Sequence, residues 1–326
     1  MTVGCDTCDA RFRADGIGAV CPACGQGALA GAEGGDGEPE LAIAYATTAK
    51  GVSKSLADYA GGIWFPTADL SEIPGRVVQV WWPRWLVDAA IDGTWEAQAG
   101  FDYEVASTQE VYSGGWTTRE VTDTRIRWEP RAGRAALAYD NISVPALAIQ
   151  DGGQFSGSKP WSEAQAGPWI RLPDRSQVEQ WPTAVQALRS RVSADCIRAC
   201  SADHIRDFYL EMSADQADWT WLLTPMWASW YTDDDGVRHV IRVDGVSGEV
   251  SGPRLASKRK GRVWAGILFS AAAISAAVGL FIGLIGIVLW PLLVVAAVLL
   301  VLALVLACVA IWPAVHPGRW NKGQSA

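Results

Sequence analysis

Four cysteines near the start of the chain form two pairs, Cys5-Asp-Thr-Cys8 and Cys21-Pro-Ala-Cys24, with twelve residues between them. Each pair is a C-x2-C knuckle, and two knuckles at this spacing can close a tetrahedral four-thiolate site around one Zn2+. Residues 1–28 are too few to fold on an apolar core, so the ion would supply most of the stability of this zinc ribbon. Gly25 follows the second pair, where a knuckle turn often needs positive φ. Four protein ligands leave no open position, so the expected zinc is structural. Iron in a rubredoxin-like site is one alternative. Two disulfides are another, disfavoured by the reducing compartment argued below.

A second set, Cys196, Cys200 and His204, recurs every four residues, which on a helix places all three on one face beside Asp203. No fourth ligand accompanies them. Buried free cysteine packs as a small apolar group, so a core stripe is the favoured reading. Asp233-Asp234-Asp235-Gly236 lacks the ligand offsets of a calcium loop and reads as a hairpin turn.

The element that organises everything else is the apolar run from Val263 to Trp312, which contains no Asp, Glu, Lys, Arg or His. One bilayer crossing takes roughly 20 apolar residues, so the run predicts a transmembrane helical hairpin. The spans are expected near 263–284 and 291–312, turning around Gly286–Pro291. Trp264 and Trp312 suit one headgroup region and Trp290 the other. Lys258, Arg259, Lys260 and Arg262 form a basic collar over 256–262, and Arg319 and Lys322 lie in the tail, 313–326. Both flanks are basic, which predicts that both termini are cytoplasmic. The N-terminus has cysteine knuckles where a signal peptide would need an apolar stretch, so no signal peptide is expected.

Between ribbon and anchor the chain divides by composition. Residues 29–40 are rich in glycine and acid and predict a flexible acidic linker. Residues 41–255 predict one cytoplasmic α+β domain. Ala49, Val52, Leu56 and Tyr59 predict a helix over 47–60, docked on its own domain. Val77–Trp82, Trp85–Ala90, Gly93–Val105, Val111–Trp116, Thr118–Trp128 and Ala135–Val144 predict a meander of short strands, with a turn at Pro130 and Gly133. Residues 151–182 read as a loop across the sheet. A long helix is expected over Thr183–Tyr209, then a hairpin of Trp219–Tyr231 with Val237–Val243 and a tight turn at 243–250.

The full order is an N-terminal zinc ribbon, a cytoplasmic, mostly antiparallel β domain with a long helix, and a C-terminal two-helix transmembrane hairpin. It resembles a bacterial family of TFIIB-type zinc-ribbon membrane proteins, the YdjG-like family, whose members are often mislabelled as primosomal helicase relatives. The likeness is carried by the two knuckles, Trp82-Pro83-Arg84-Trp85, Trp128-Glu129-Pro130 with Gly133, and Val144-Pro145-Ala146. It continues through Asp203-His204 with Arg206, Leu222-Leu223-Thr224-Pro225-Met226-Trp227, and the turn from Val243-Asp244-Gly245 to Gly248-Glu249-Val250. At Cys200-Ser201-Ala202 the chain departs from the family, where glycines usually precede the Asp-His pair. No phosphate-binding G-x4-G-K-S/T loop occurs, so the helicase label does not fit.

The resemblance implies a bacterial inner-membrane platform, not an enzyme, that recruits membrane-stress proteins of the PspA or SPFH-domain type. An enzyme using Asp203 and His204 is one alternative, and a nucleic-acid-binding ribbon is another. Charge opposes the latter: the chain carries a net −8, and over residues 1–40 Arg11 and Arg13 face seven carboxylates. Self-association into a homo-oligomer stays open.

Overall fold

The computed structural model describes residues 1–16, 20–32, 37–112, 114–148, 157–162, 169–287 and 290–324. It is a mixed α+β structure built on one eleven-stranded sheet. Short strands β1 (Thr2–Cys5), β2 (Arg11–Ala14), β3 (Leu29–Gly31) and β4 (Leu41–Ile43) lead to helix α1 (Ala49–Gly61) and a 3-10 segment, Ala68–Gly75. Strands β5 (Val78–Tyr112) and β6 (Trp116–Pro145) follow, then β7 (Ser158–Pro160), β8 (Trp169–Arg171) and helix α2 (Gln177–Ala199). Strands β9 (His204–Thr232), β10 (Arg238–Asp244) and β11 (Val250–Ser251) complete the sheet before helices α3 (Lys258–Gly286) and α4 (Pro291–Gln324). The main strand order is β11-β10-β9-β5-β8-β2-β1-β3, with β6 on the other part of β5.

The central strands correct the expected meander of short strands. β5 and β6 run 35 and 30 residues and pair continuously from Ala89/Tyr139 to Tyr112/Trp116. Pro130 and Gly133 do not make a turn. Pro130 lies opposite Gln98 on β6, whose only partner strand among the described residues is β5. Proline is tolerated on such an edge because its missing N–H need not face a neighbour. Gly133 lies under the Trp95 indole, where a Cβ would come within 2.9 Å of the ring. It is a packing partner for a buried aromatic.

The long helix is shifted by about six residues at its start and ten at its end. Ser176 and Glu179 form a reciprocal capping box, which starts α2 before Pro182. The buried stripe Gln180, Ala184, Leu188, Val192 and Cys196 covers β6, β9 and β5. The chain leaves α2 through Ser201, at φ 49°, and His204 opens β9. α1 stands where expected, capped by Thr48, with Val52 and Leu56 buried against Leu70, Ile73, Trp227 and Tyr231. Residues 151–156 and 163–168 of the expected 151–182 loop lie outside the described residues. Of the rest, 158–160 and 169–171 are strand and Gln177 already belongs to α2.

α3 and α4 are long and apolar enough to cross a membrane, with mean hydropathies of 2.3 and 3.4, and only 11% of each apolar window is buried within the chain. That low burial separates them from the core helices of a water-soluble fold. They pack on small residues repeated every seven positions: Ala265, Ala272, Gly279 and Gly286 face Ala296, Ala303, Ala310 and Pro317. A seven-residue repeat keeps one seam in contact along a gently supercoiled pair. Both helices overrun the expected spans, because the basic collar is already helical from Lys258 and the tail remains helical to Gln324.

The hairpin is joined to the sheet by specific contacts. Ser257 caps α3 and donates from Oγ to Asp234 (2.8 Å), which also accepts from the Arg259 amide (3.0 Å). Asn321 exchanges two hydrogen bonds with the Ala256 backbone (2.8 and 3.0 Å), and Trp312 packs edge-on against Trp64 (5.3 Å).

Candidate metal centre

The four N-terminal cysteines converge. One Sγ from each lies within 4.8 Å of all the others, and none is in a disulfide. Cys5 and Cys21 are buried, Cys24 is partly buried and Cys8 is exposed. The two C-x2-C loops are built alike. The Thr7 amide donates to Cys5 Sγ and the Ala23 amide to Cys21 Sγ, both at 3.4 Å. Each loop closes on the residue after its second cysteine at positive φ, Asp9 at 56° and Gly25 at 73°. Aspartate is one of the few non-glycine residues that visits this region readily. Sequence reading identified Gly25 and missed Asp9, because only the glycine announces its backbone.

Thiols this close cannot all ionise without a cation among them. Burial pushes the Cys8 thiol up to about 12 and raises Cys21 as well, with neighbouring thiols adding to both. For Cys24 burial also opposes ionisation, but amide donors from Gly27 and Gln26 prevail and lower it. A divalent ion would replace that mutual repulsion by attraction to four thiolates. The cradle leaves no spare space: a Cβ on Gly27 would collide with Cys5 Sγ, Asp6 and Thr7. The donor set and its spacing therefore fit a metal ion.

The cysteine module is built into the sheet. β1 pairs with β2 and β3, and β2 pairs with β8, which touches β5 at Trp81. Val3, Phe12 and Leu29 share a buried cluster with Val80, Trp82, Leu147 and Ala228. The second knuckle rests on β10, where Arg238 donates to the Gly25 carbonyl (3.2 Å) and Gln26 to the Arg238 carbonyl (3.1 Å). The expected 29–40 linker thus begins with a strand, Leu29–Gly31. Residues 33–36 of it lie outside the described residues. A Cβ on Gly25 would meet Val240 Cγ2 at 3.0 Å in addition to the left-handed backbone. Gly25→Ala should therefore cost about 1–2 kcal/mol from backbone strain alone. It should also release metal to a chromogenic chelator faster than the parent chain at unchanged initial metal content.

The other expected groups are placed differently. His204 is on β9, so it does not share a helix face with Cys196 and Cys200. Cys196, on α2, and Cys200, at its C-terminal cap, are buried in the main core, and burial raises their thiols. His204 Nε2 and Asp102 Oδ1 are 2.9 Å apart, and Asp203 accepts from the Asp102 amide (3.0 Å). This partly exposed trio ties the start of β9 to β5. The acidic turn 233–236 is a hairpin turn, as its sequence indicates, with Gly236 at φ 82°. Phe12, the one aromatic of the Arg11-Phe12-Arg13 trio, is fully buried and packs edge-on against Trp169 at 5.9 Å. It is not offered to a nucleic-acid base. Comparison with protein-family models, curated proteins and solved structures finds no match to this chain.

Proposed function

We propose that the chain is a membrane-anchored zinc-ribbon adaptor. The cysteine cluster holds one structural Zn2+, α3 and α4 cross the bacterial inner membrane, and both termini lie in the cytoplasm. The sheet and ribbon present a surface that recruits cytoplasmic proteins, and the chain performs no catalysis of its own. The resemblance to TFIIB-type zinc-ribbon membrane proteins makes PspA-like or SPFH-domain membrane-stress proteins the expected partners.

The observation that carries this reading is the continuity between cysteine site and apolar hairpin. Cys21–Gln26 rests on β10, β10 forms a hairpin with β9, and Asp234 in the turn of that hairpin caps α3. A ribbon bound at one end of this path is held at a fixed place relative to the helices at the other. Zinc is the proposed ion because a closed set of four cysteine ligands is the usual ligation of a structural Zn2+. The basic residues at Lys258–Arg262, Arg319 and Lys322 favour the cytoplasmic side for both helix ends.

The test is to express residues 1–257 alone beside the full chain and follow the partners by membrane fractionation. Only the full chain should bring a PspA-like or SPFH-domain protein to the membrane fraction. Equal recruitment by residues 1–257 would refute the anchored adaptor. Orientation is checked separately by protease protection: a tag at either terminus should be digested in inverted vesicles and protected in spheroplasts.

A further inference from the structure

β9 pairs with β5 only as far as Gly100, opposite His204. Beyond this point β5 and β6 continue as a two-stranded arm, Phe101–Tyr112 against Trp116–Arg127. Twelve residues at about 3.3 Å each make it roughly 40 Å long. It leaves the sheet at the end opposite the one that joins α3, since β9 runs from the base of the arm toward Asp234. A two-stranded ribbon left largely exposed on both faces, among the described residues, is only marginally stable in water, so an arm of this length calls for a covering partner.

The register divides the arm into two unlike faces, because directly opposed residues share a face and successive residues alternate. One face carries Phe101, Tyr103, Val105, Val111 and Val121 with Arg119, Arg125 and Arg127 against the single acid Asp123. It continues the side of β5 on which Trp95, Ala97 and Ala99 are buried in the main core. Arg127 is already paired with Glu129 (3.0 Å), which leaves Arg119 and Arg125 as its outward cations. The opposite face carries Asp102, Glu104, Glu110 and Glu120, no base, and the aromatic pair Tyr112 and Trp116 at the tip, 67% and 74% exposed. The two faces are thus opposite in charge, each with exposed apolar side chains between the charges.

We infer that the arm is a self-association element: the arginine face of one copy stacks on the carboxylate face of the arm of a second copy. A second copy meets both needs at once, offering a complementary face with the same strand spacing and twist. A foreign acidic or basic partner would satisfy only one side. Two different patches meet, so the contact is heterologous and builds a ring or an open row of chains. The inference does not depend on the adaptor reading.

The experiment uses the full chain in mild detergent and measures its mass against concentration for three proteins. These are the parent, Glu104→Arg/Glu110→Arg/Glu120→Arg, and Arg119→Glu/Arg125→Glu. The parent should associate, less strongly at high salt. Each variant alone should associate at least about tenfold more weakly, since like charges then face each other across the contact. Mixing the two variants restores opposite charges at both kinds of junction and should recover the parent mass. That recovery also shows that both variants are folded. A parent that stays monomeric at every concentration would overturn the inference and assign the arm to another protein. Association unchanged in both variants would overturn it as well, by placing the contact elsewhere. Variants that weaken association but fail to complement each other would exclude the stacked pairing.

Discussion

Replacing Cys5 and Cys8 by serine should remove the bound ion from every chain and unfold residues 1–31, while the sheet behind them stays folded. Two remaining thiolates cannot complete a tetrahedral site, and structural zinc contributes on the order of 10–16 kcal/mol of apparent binding energy to such modules. Nothing else in β1–β3 could offset that loss, since their cluster has Val3, Phe12 and Leu29 as its only large aliphatic or aromatic members from this segment. The damage should stop at β8. The larger core under α2, with Trp85, Val87, Ile91, Leu188 and Val192, takes no buried member from the ribbon. Metal analysis should fall from one zinc per chain to none, and hydrogen exchange should lose protection in β1–β3 only. Acid and chelators should act in the same way, because the ligands bind as thiolates and metal binding releases their protons. A variant that kept its metal, or a parent purified with red iron in the site, would contradict the zinc assignment.

The second large effect concerns the anchor. Ile274 on α3 and Val301 on α4 lie near the middle of the expected spans 263–284 and 291–312 and are 66% and 61% exposed. An arginine at the centre of a span costs about 2.5–3.5 kcal/mol of insertion free energy. Ile274→Arg/Val301→Arg should therefore move the chain from the carbonate-resistant membrane fraction to the soluble or degraded fraction. Ile274→Leu/Val301→Leu should leave it in place. A parent chain extracted by carbonate as readily as the arginine variant would show that the hairpin does not cross the bilayer.

The features that could be read in the sequence are those where one residue type has one strong use. Paired cysteines at metal spacing, an uncharged apolar run, and Gly236 and Gly248 in tight turns all belong to this class. Strand lengths were hidden because the same residue types serve two purposes. Pro130 and Gly133 punctuate most chains, but here one occupies a sheet edge and the other makes room for Trp95. The start of α2 depended on the Ser176–Glu179 capping box, whose signal Pro182 masked. The end of α2 was hidden because Cys196, Cys200 and His204 continue a helical period by coincidence. The contacts that fix the ribbon to β10, through Arg238 and Gln26, are 212 residues apart in sequence and leave no local trace. The two-faced charge of the arm is likewise invisible until the pairing of β5 with β6 assigns each residue its side.

The adaptor account is tested most directly by affinity purification of the full chain from membranes in mild detergent, beside Cys5→Ser/Cys8→Ser. The account predicts that a PspA-like or SPFH-domain protein is recovered with the parent and lost with the variant, while both remain in the membrane fraction. A zinc-replete parent recovered without partners, or partners recovered equally with the variant, would contradict it.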